Sequence, residues 1–160
     1  ALHARLRAAY SRLMSELPGS VLFACTHNAI RSPMAEAIMR YLHGRKVYVQ
    51  SAGVRRGELD PFAVIVMDEI GIDLSRHRPR SFDELEDDYF DLVISLSPEA
   101  QHRAVELTRA SHCELLFWRM PDPSLVEGSR ETCLDAYRDL RDTLMRRIQE
   151  RFPLVGPPQV

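Results

Sequence analysis

A cysteine and an arginine lie six positions apart near the start of the chain, as Cys25 and Arg31. An apolar run that predicts a short buried strand ends at the cysteine. Past the arginine, segment 32–42 has the pattern of a helix, and Pro33 suits its first turn. A loop that enters a helix exposes backbone N–H groups and the positive end of the helix dipole, where anions bind. We therefore expect residues 25–31, the Cys25 loop, to bind a tetrahedral oxyanion.

The side chains of the Cys25 loop suit covalent catalysis on such an oxyanion. Arg31 can direct two parallel N–H donors at the oxygens, and Cys25 lies at the foot of the same positive field. Thiols at helix N-termini beside cations have pKa values lowered to about 3.5–7.5, which favours the nucleophilic thiolate. Ser32 can donate a hydrogen bond to that thiolate, and Asn28 suits a left-handed turn that braces the loop. The pattern indicates a nucleophilic sulfur aimed at phosphorus.

The spacing C-x5-R also has a structural interpretation. A buried cysteine can simply end a strand, and a surface arginine can simply begin a helix. The position of this loop between an apolar strand and a helix opened by proline favours the catalytic interpretation for Cys25 and Arg31 together.

An acid is needed to complete the chemistry, because the leaving oxygen of a phosphate ester must gain a proton. Asp122 stands between two prolines in the segment "PDPS". There it can protonate the leaving group and then act as base on the attacking water. Asp-Pro is also an ordinary turn sequence. The presence of the Cys25 loop favours the functional interpretation of Asp122.

The elements that must position these residues alternate along the chain. Strands are predicted over 21–25, 46–53, 90–97 and 113–118. Helices are predicted over 2–17, 32–42, 61–70, 98–108 and 130–152. This alternation predicts an α/β fold, a four-stranded parallel sheet with helices on both faces and an extra N-terminal helix. Ligands of such sheets sit beyond the carboxyl ends of the strands, so we expect Cys25 and Asp122 to meet in one cleft.

Length and composition limit the possible classes of protein. With 160 residues, a single domain is expected over 1–160, with a helical extension at 1–18 and a loose tail at 153–160. The net charge of −2 gives no electrostatic footprint for nucleic acid. No apolar run approaches membrane-spanning length. We expect neither nucleic acid nor a membrane as a partner; the oligomeric state stays open.

The cysteines and histidines suggest no structural metal and no disulfide framework. The three cysteines, Cys25, Cys113 and Cys133, are few and include no C-x2-C pair. They indicate a reducing, cytoplasmic setting. Four histidines lie outside the Cys25 loop and segment 76–80, and they are not spaced like the ligands of a metal ion. They are expected at the surface: His3, His43, His102 and His112.

The segment "CTHNAIRSPMAEA", together with the late "DP", resembles the low-molecular-weight protein-tyrosine-phosphatase family. The resemblance covers Val21 to Phe152 and implies a protein-tyrosine phosphatase that works through a phosphocysteine, without cofactor or metal. It makes Cys25 the nucleophile, Arg31 the residue that binds the phosphate and the transition state, and Asp122 the general acid. The phosphate-binding residues that it implies are Thr26, His27, Asn28, Ala29, Ile30 and Arg31.

The same resemblance implies a group of supporting residues. Ser32 matches the loop serine of the family. Ser51 of "QSAG" and His77 of "GIDLSRHRPR" resemble residues that brace the loop asparagine. The alternative is that Ser51 is only a hydroxyl at a strand end and that His77 is only a surface imidazole.

Several positions depart from the family pattern and leave the substrate open. His27 stands where a glycine is usual. Ala29 stands where many tyrosine phosphatases have a larger aliphatic residue and where arginine-phosphate phosphatases have threonine. Ile30 replaces a second loop cysteine, so a protective disulfide within the loop cannot form. Ser124 follows "DP" where tyrosine-directed members often place an aromatic wall. The expected substrate is a phosphorylated protein or a small aryl phosphate.

A protein-arginine phosphatase with the same loop is one alternative function, and two rival functions also remain open. Arsenate mimics phosphate in the same loop, and "PDPSLVEGSRE" also resembles thioredoxin-coupled arsenate reductases. Those enzymes need further thiols, one of them just after the third strand, where this chain has Ser97; a reductase that uses a small external thiol would not need them. The other rival is a non-catalytic phosphate-binding module. It should have lost the nucleophile, the arginine or the acid, and all three are present.

Overall fold

The computed structural model describes residues 1–15, 17–109 and 111–154. Its centre is one sheet of four parallel strands in the order β2-β1-β3-β4. The strands are β1 (Ser20–Cys25), β2 (Tyr48–Gly53), β3 (Leu92–Ser95) and β4 (Glu114–Phe117). The register places Cys25, the last residue of β1, opposite Gly53, the last residue of β2.

Within the described residues, five helices complete the fold. They are α1 (Leu2–Ser15), α2 (Arg31–His43), α3 (Pro61–Asp68), α4 (Pro98–Thr108) and α5 (Arg130–Arg151). Two short 3-10 turns, Phe82–Glu84 and Pro123–Leu125, lie in the connections. The predicted fold class, a parallel four-stranded sheet with helices on both faces and an extra N-terminal helix, is confirmed.

The two faces of the sheet divide the core. Val21, Phe23 and Cys25 of β1 point toward the cluster built with α2, α3 and α5. The alternate residues, Leu22 and Ala24, point toward a smaller cluster that includes α4. Because side chains along a strand alternate between faces, the odd-numbered positions of β1 direct the Cys25 side chain toward the face covered by α2.

Helix starts follow from capping side chains that the sequence supplies. Asp60 accepts a hydrogen bond from the Phe62 N–H at 2.8 Å, with proline next in the chain. Ser97 accepts one from the Ala100 N–H at 3.2 Å. Such caps satisfy N–H groups that a helix start leaves unpaired. They also explain why β3 is shorter than predicted, since Ser97 serves as the cap of α4 rather than as a strand residue.

Two other expectations differ from the structure, and a third lies largely outside the described residues. His43 is not a surface residue: it is 6% exposed, and its Nε2 lies 2.7 Å from the Phe152 carbonyl oxygen. The helix predicted over 2–17 ends at Ser15. The predicted loose tail lies, from residue 155 onward, outside the described residues.

No helix in the described parts of the chain is long and apolar enough to cross a membrane.

An ion-pair cluster fastens α3 to α5. Glu69, just after α3, receives hydrogen bonds from Arg138 at 2.7 Å and Arg141 at 2.8 Å. Arg141 is only 9% exposed and also donates to the Val66 carbonyl at 2.8 Å. The hydrogen bonds from Arg138, with those from Arg141, lower the pKa of Glu69 to about 2.

We expect this cluster to make stability depend on pH in the acid range. The pKa of Glu69 is depressed in the folded state, so its carboxylate stabilises the fold above its ordinary pKa of 4.5 and loses that effect as pH falls toward 2. Glu69→Gln should therefore lower the free energy of unfolding at neutral pH, and the gap to the parent should close over this range. Urea unfolding measured at several pH values checks this.

The matched control is Glu150→Gln, on an exposed position of α5 that makes no ion pair with the described residues. It should change neither the stability nor its pH dependence. A gap between the parent and Glu69→Gln that stays constant down to about pH 2 would show that the carboxylate charge is not responsible.

Candidate active site

The Cys25 loop is held from outside by the chain that follows β2. Four of its carbonyl oxygens accept hydrogen bonds from N–H groups of segment 54–60, at 2.8–3.2 Å: Cys25, Thr26, His27 and Ala29. The N–H groups of residues 27–30 donate to no partner within the described chain. Successive free N–H groups in a loop that opens a helix form an anion site.

Two glycines permit this close approach. A Cβ on Gly53 would lie 2.7 Å from the Asn28 backbone nitrogen, and a Cβ on Gly57 would lie 3.0 Å from the His27 Cβ. Side-chain atoms do not fit at the first distance, so the strand end and the loop can touch only through glycine. The sequence analysis missed both roles; the end of the predicted second strand at Gly53 was the available signal.

Asn28 determines the shape of the loop. Its backbone has φ of +54°, the left-handed conformation that asparagine tolerates better than most residues. Its side chain is completely buried. The Nδ2 group donates to Ser32 Oγ at 2.8 Å and Ser51 Oγ at 2.9 Å. The Oδ1 atom accepts from the Arg80 N–H at 2.9 Å and faces His77 Nε2 at 3.0 Å. The structure thus places Ser51 and His77 directly on Asn28.

A buried carboxylate supports this arrangement from behind. Glu36 is 3% exposed; it accepts from Ser51 Oγ at 2.7 Å and pairs with Arg40 at 2.7 Å and with His77 Nδ1 at 3.4 Å. Burial raises the pKa of Glu36, but the hydrogen bond from His77, the charge of Arg40 and the hydrogen bond from Ser51 together outweigh it, so the net pKa is lowered.

The sequence analysis missed Glu36, although a signal was available. Ser32, Glu36 and Arg40 recur every four residues and therefore share one side of α2. A serine and a glutamate on the side of a helix that faces the sheet must find polar partners there. Ser32 and Glu36 find them in the loop asparagine and the serine of β2.

The Ser32 hydroxyl links this network to the thiol. Cys25 Sγ lies 2.8 Å from Ser32 Oγ, and both side chains are buried. Ser32 Oγ already accepts a hydrogen bond from Asn28, so its own O–H is available to donate to the sulfur. The bracing residues are therefore connected to Cys25 through one hydroxyl.

Arg31 spans from the loop to the end of the sheet. Its Nη1 donates to the Met120 carbonyl at 3.2 Å, and its Nη2 donates to Thr26 Oγ1 at 3.4 Å. Thr26 Oγ1 donates in turn to Ser97 Oγ at 3.0 Å. Ser97 and Met120 were not identified from the sequence as parts of the site. Both lie just beyond strand ends, where side chains of different strands meet.

A pocket of about 230 Å³ brings the predicted residues together. Its lining is Cys25, His27, Ala29, Ile30, Arg31, Gly57, Glu58, Asp60, Asp122 and Ser124. Cys25, Arg31 and Asp122 therefore border the same space, although 97 positions separate the first from the last. Asn28, Ser32, Ser51 and His77 lie behind the loop rather than in the pocket, consistent with a bracing position.

Asp122 both faces this pocket and shapes its own turn. Its Oδ1 accepts from the Ser124 N–H at 2.9 Å and the Ser124 hydroxyl at 2.6 Å. Its Oδ2 accepts no hydrogen bond from the described residues. One oxygen is thus used to fix the position of the carboxylate, and the other is available for proton transfer.

A second acid in the pocket is committed to structure. Asp60 caps α3 through the Phe62 N–H, and its Oδ2 accepts from the Tyr137 hydroxyl at 2.8 Å. Burial and the adjacent Asp60 carboxylate raise the pKa of Tyr137. The sequence predicted Asp60 only as a helix cap, because its tyrosine partner lies on α5, far away along the chain.

The described residues contain no group of three or more histidine, cysteine or acidic side chains placed to hold a metal ion.

Comparison with known proteins places this geometry in context. Residues 20–152 match the family model described as low molecular weight phosphotyrosine protein phosphatase. An arsenate reductase of Halalkalibacterium halodurans is 34% identical over 129 residues, 81% of this chain and 91% of the relative.

Solved structures agree in fold. The YwlE arginine phosphatase from Geobacillus stearothermophilus has a TM-score of 0.70 at 27% identity, over 84% of this chain and 90% of that one. A low molecular weight protein tyrosine phosphatase from T. tengcongensis has a TM-score of 0.68 at 28% identity, over 82% of this chain and 95% of that one.

The role of Asn28 can be tested with a pair of variants. Asn28→Gly keeps the left-handed backbone accessible and removes the side-chain hydrogen bonds, whereas Asn28→Ala removes both. We expect either variant to lose about 1–3 kcal/mol of unfolding free energy, because buried partners are left unsatisfied. The alanine variant should lose roughly 1 kcal/mol more because of backbone strain. Urea unfolding measures both losses.

The same variants should lose protection of Cys25 by inorganic phosphate against alkylation, since the N–H groups of the loop no longer converge. Equal stability of the two variants, together with unchanged phosphate protection, would show that Asn28 does not control the shape of the loop.

Proposed function

We propose that this chain, which belongs to the low molecular weight phosphotyrosine protein phosphatase family, removes phosphate from aryl phosphates, above all from phosphotyrosine in proteins, through a phosphocysteine on Cys25. The family match confirms the resemblance that the Cys25 loop indicated. The observation that carries the proposal is the single pocket bordered by Cys25, Arg31 and Asp122.

In the first step, the loop binds the phosphate and the sulfur attacks it. The free N–H groups of residues 27–30 and the guanidinium of Arg31 hold the phosphate oxygens. The thiolate of Cys25 forms a bond to phosphorus while the bond from phosphorus to the leaving oxygen breaks. Asp122 donates a proton to that oxygen, so the product leaves as the neutral alcohol or phenol.

In the second step, water releases the phosphate. Asp122, now a carboxylate, takes a proton from a water molecule whose oxygen attacks phosphorus. The phosphorus–sulfur bond breaks, and Cys25 returns to the thiolate. The Ser32 hydroxyl, 2.8 Å from the sulfur, stabilises the negative charge that develops there.

A second candidate substrate is phosphoarginine, and a specific observation favours it. The pocket wall contains three carboxylates, Glu58, Asp60 and Asp122, and no phenylalanine, tyrosine or tryptophan among its described lining residues. A wall of this kind attracts a cationic guanidinium group more than it stacks against a phenol ring. The structural neighbour named as an arginine phosphatase supports this candidate.

Arsenate reduction is supported by the relatives that carry that name. The oxyanion site suits arsenate, but electrons must come from thiols. Cys113 precedes β4 at the amino end of the sheet, whereas Cys25 ends β1 at the carboxyl end. Cys133 lies in the first turn of α5, and its sulfur is 3.4 Å from the carbonyl oxygen of Val126, in the connection that precedes this helix. The position of Cys113 at the opposite end of the sheet disfavours a relay between it and Cys25.

We also propose a reducing, cytoplasmic location. All three cysteines are free thiols in the structure, and the proposed nucleophile works only as a free thiol.

The substrates that fit the proposed reaction are phosphorylated proteins or small aryl phosphates.

Asp122→Asn tests the role of the acid. A positioned general acid contributes about 10²–10⁴-fold to the rate, so we expect a loss of that size with phenyl phosphate or phosphotyrosine. The loss should be smaller with a nitrophenyl ester, whose leaving group is stable as an anion. Steady-state kinetics with the ester series measures this. A loss independent of the leaving group, accompanied by lower thermal stability, would show that Asp122 only shapes its turn.

A substrate panel of phosphotyrosine, phosphoserine, phosphoarginine and arsenate tests the proposed specificity. We expect phosphotyrosine to be hydrolysed and phosphoserine to be a poor substrate, because a thiolate at the base of a loop is reached more easily by a long aryl ester. Values of kcat/KM decide the order. Faster turnover of phosphoarginine would reassign the substrate and leave the chemistry intact.

A matched variant sharpens the comparison. Glu58 lines the pocket, is exposed at its mouth and has no role in the proposed proton transfer. If the carboxylates select a guanidinium, Glu58→Gln should raise KM for phosphoarginine and leave phosphotyrosine hydrolysis unchanged. An equal effect on both substrates would assign the side chain no part in selection.

A further inference from the structure

A second cavity, of about 290 Å³, lies on the α4 face of the sheet and shares no lining residue with the pocket around Cys25. Its floor is apolar and buried, and it is formed by Leu22, Phe82, Phe90 and Val93. Leu107 of α4 also lines it and is 50% exposed. We call this cavity the α4 groove.

One rim of the α4 groove is strongly acidic. Segment 83–91 carries six carboxylates and no lysine or arginine. Three of these residues, Asp83, Asp87 and Asp88, line the groove and are exposed. Two arginines pair with this segment, Arg103 with Asp83 at 3.0 Å and Arg56 with Glu84 at 3.1 Å. Asp87 accepts a hydrogen bond from the Tyr48 hydroxyl at 2.6 Å, and Asp88 pairs with no basic residue among the described ones. An apolar floor beside such a rim suits an occupant that is both apolar and cationic.

The chain itself carries a segment of that chemistry. Helix α1 contains three arginines and no acidic residue. Leu2 and Leu6 share one side of the helix, since they are four positions apart, and they are 70% and 42% exposed. Arg5 and Arg7 are exposed beside them. This side of α1 is therefore both apolar and cationic.

The placement of α1 points to a second copy of the chain as the partner. The chain enters β1 next to the acidic rim, where the N–H groups of Gly19 and Ser20 donate to Asp91 at 2.8 and 3.2 Å. Even so, Leu2 and Leu6 face solvent and not the groove of their own chain. Each copy has one helix to offer and one groove to fill, so a two-fold exchange satisfies both.

We infer that two copies of this chain associate by placing the basic, apolar face of α1 of each copy in the acidic α4 groove of the other. The inference concerns a surface remote from Cys25 and does not depend on the proposed reaction.

A charge exchange tests this inference on the full chain. Variant one is Arg5→Asp with Arg7→Asp; variant two is Asp87→Arg with Asp88→Arg. Alone, each variant brings like charges together at both contacts, and dimerisation should weaken at least about tenfold. Mixed together, the acidic helix meets the basic groove and the basic helix meets the acidic groove. The mixture should therefore regain the dimer, as measured by sedimentation equilibrium.

Two further measurements complete the test. Leu2→Asp with Leu6→Asp should abolish association, and Leu154→Asp, at a leucine that is 63% exposed elsewhere, should not affect it. Hydrolysis of an aryl phosphate should remain unchanged in all variants, which shows that they are folded. The dimer should weaken as salt concentration rises.

Several outcomes would overturn the inference. The chain could stay monomeric up to about 1 mM, a concentration at which association is worth only about 4 kcal/mol. The dimer could be unaffected by either charge variant, or the mixture could fail to restore association. Binding of the monomeric chain to anionic lipid vesicles, lost in the Arg5→Asp and Arg7→Asp variant, would assign α1 to a membrane surface instead.

Discussion

The side chain of Asn28 is the constraint on which the site depends. It closes a left-handed turn and, with its four hydrogen-bonding contacts, joins the loop to α2, to β2 and to segment 77–80. Because this amide is buried and its Nδ2 group donates to two hydroxyls, losing Ser32 or Ser51 would leave an N–H group without a partner. The loop is therefore rigid before any oxyanion arrives, and a rigid set of N–H donors is what makes an oxyanion site effective.

The same network links the fold to the chemistry. Glu36 fixes Ser51 and faces His77, these two hold Asn28, and Asn28 orients the Ser32 hydroxyl that reaches the sulfur. On the other side, Arg31 connects the loop to Met120, just before the turn of Asp122. The proposed nucleophile, the candidate oxyanion site and the proposed acid are therefore positioned by hydrogen bonds between elements that are distant along the chain.

The sequence predicted the parts of this account that depend on local pattern. Cys25, Arg31 and Asp122 stand out because apolar runs, a proline-started helix and a Pro-Asp-Pro segment surround them. Glu36 and Gly53 left signals in the sequence, on one side of α2 and at the end of the second strand, but their partners appear only when separate elements meet. The pairing of Asp60 with Tyr137 left no such signal. His43 was assigned to the surface because its partner, the Phe152 carbonyl, lies over a hundred residues away. Ser51 and His77 came from a family resemblance, since the spacing of the residues carries no such signal.

The most direct test of the central claim is to detect the covalent intermediate. The intact chain is mixed with a nitrophenyl phosphate, quenched in acid within the first turnovers and examined by mass spectrometry with peptide mapping. We expect the mass of one phosphoryl group to be added on Cys25, and the adduct to disappear once the substrate is consumed. Turnover of the ester with no adduct on Cys25 at any time, or an adduct on another residue, would contradict the proposed mechanism.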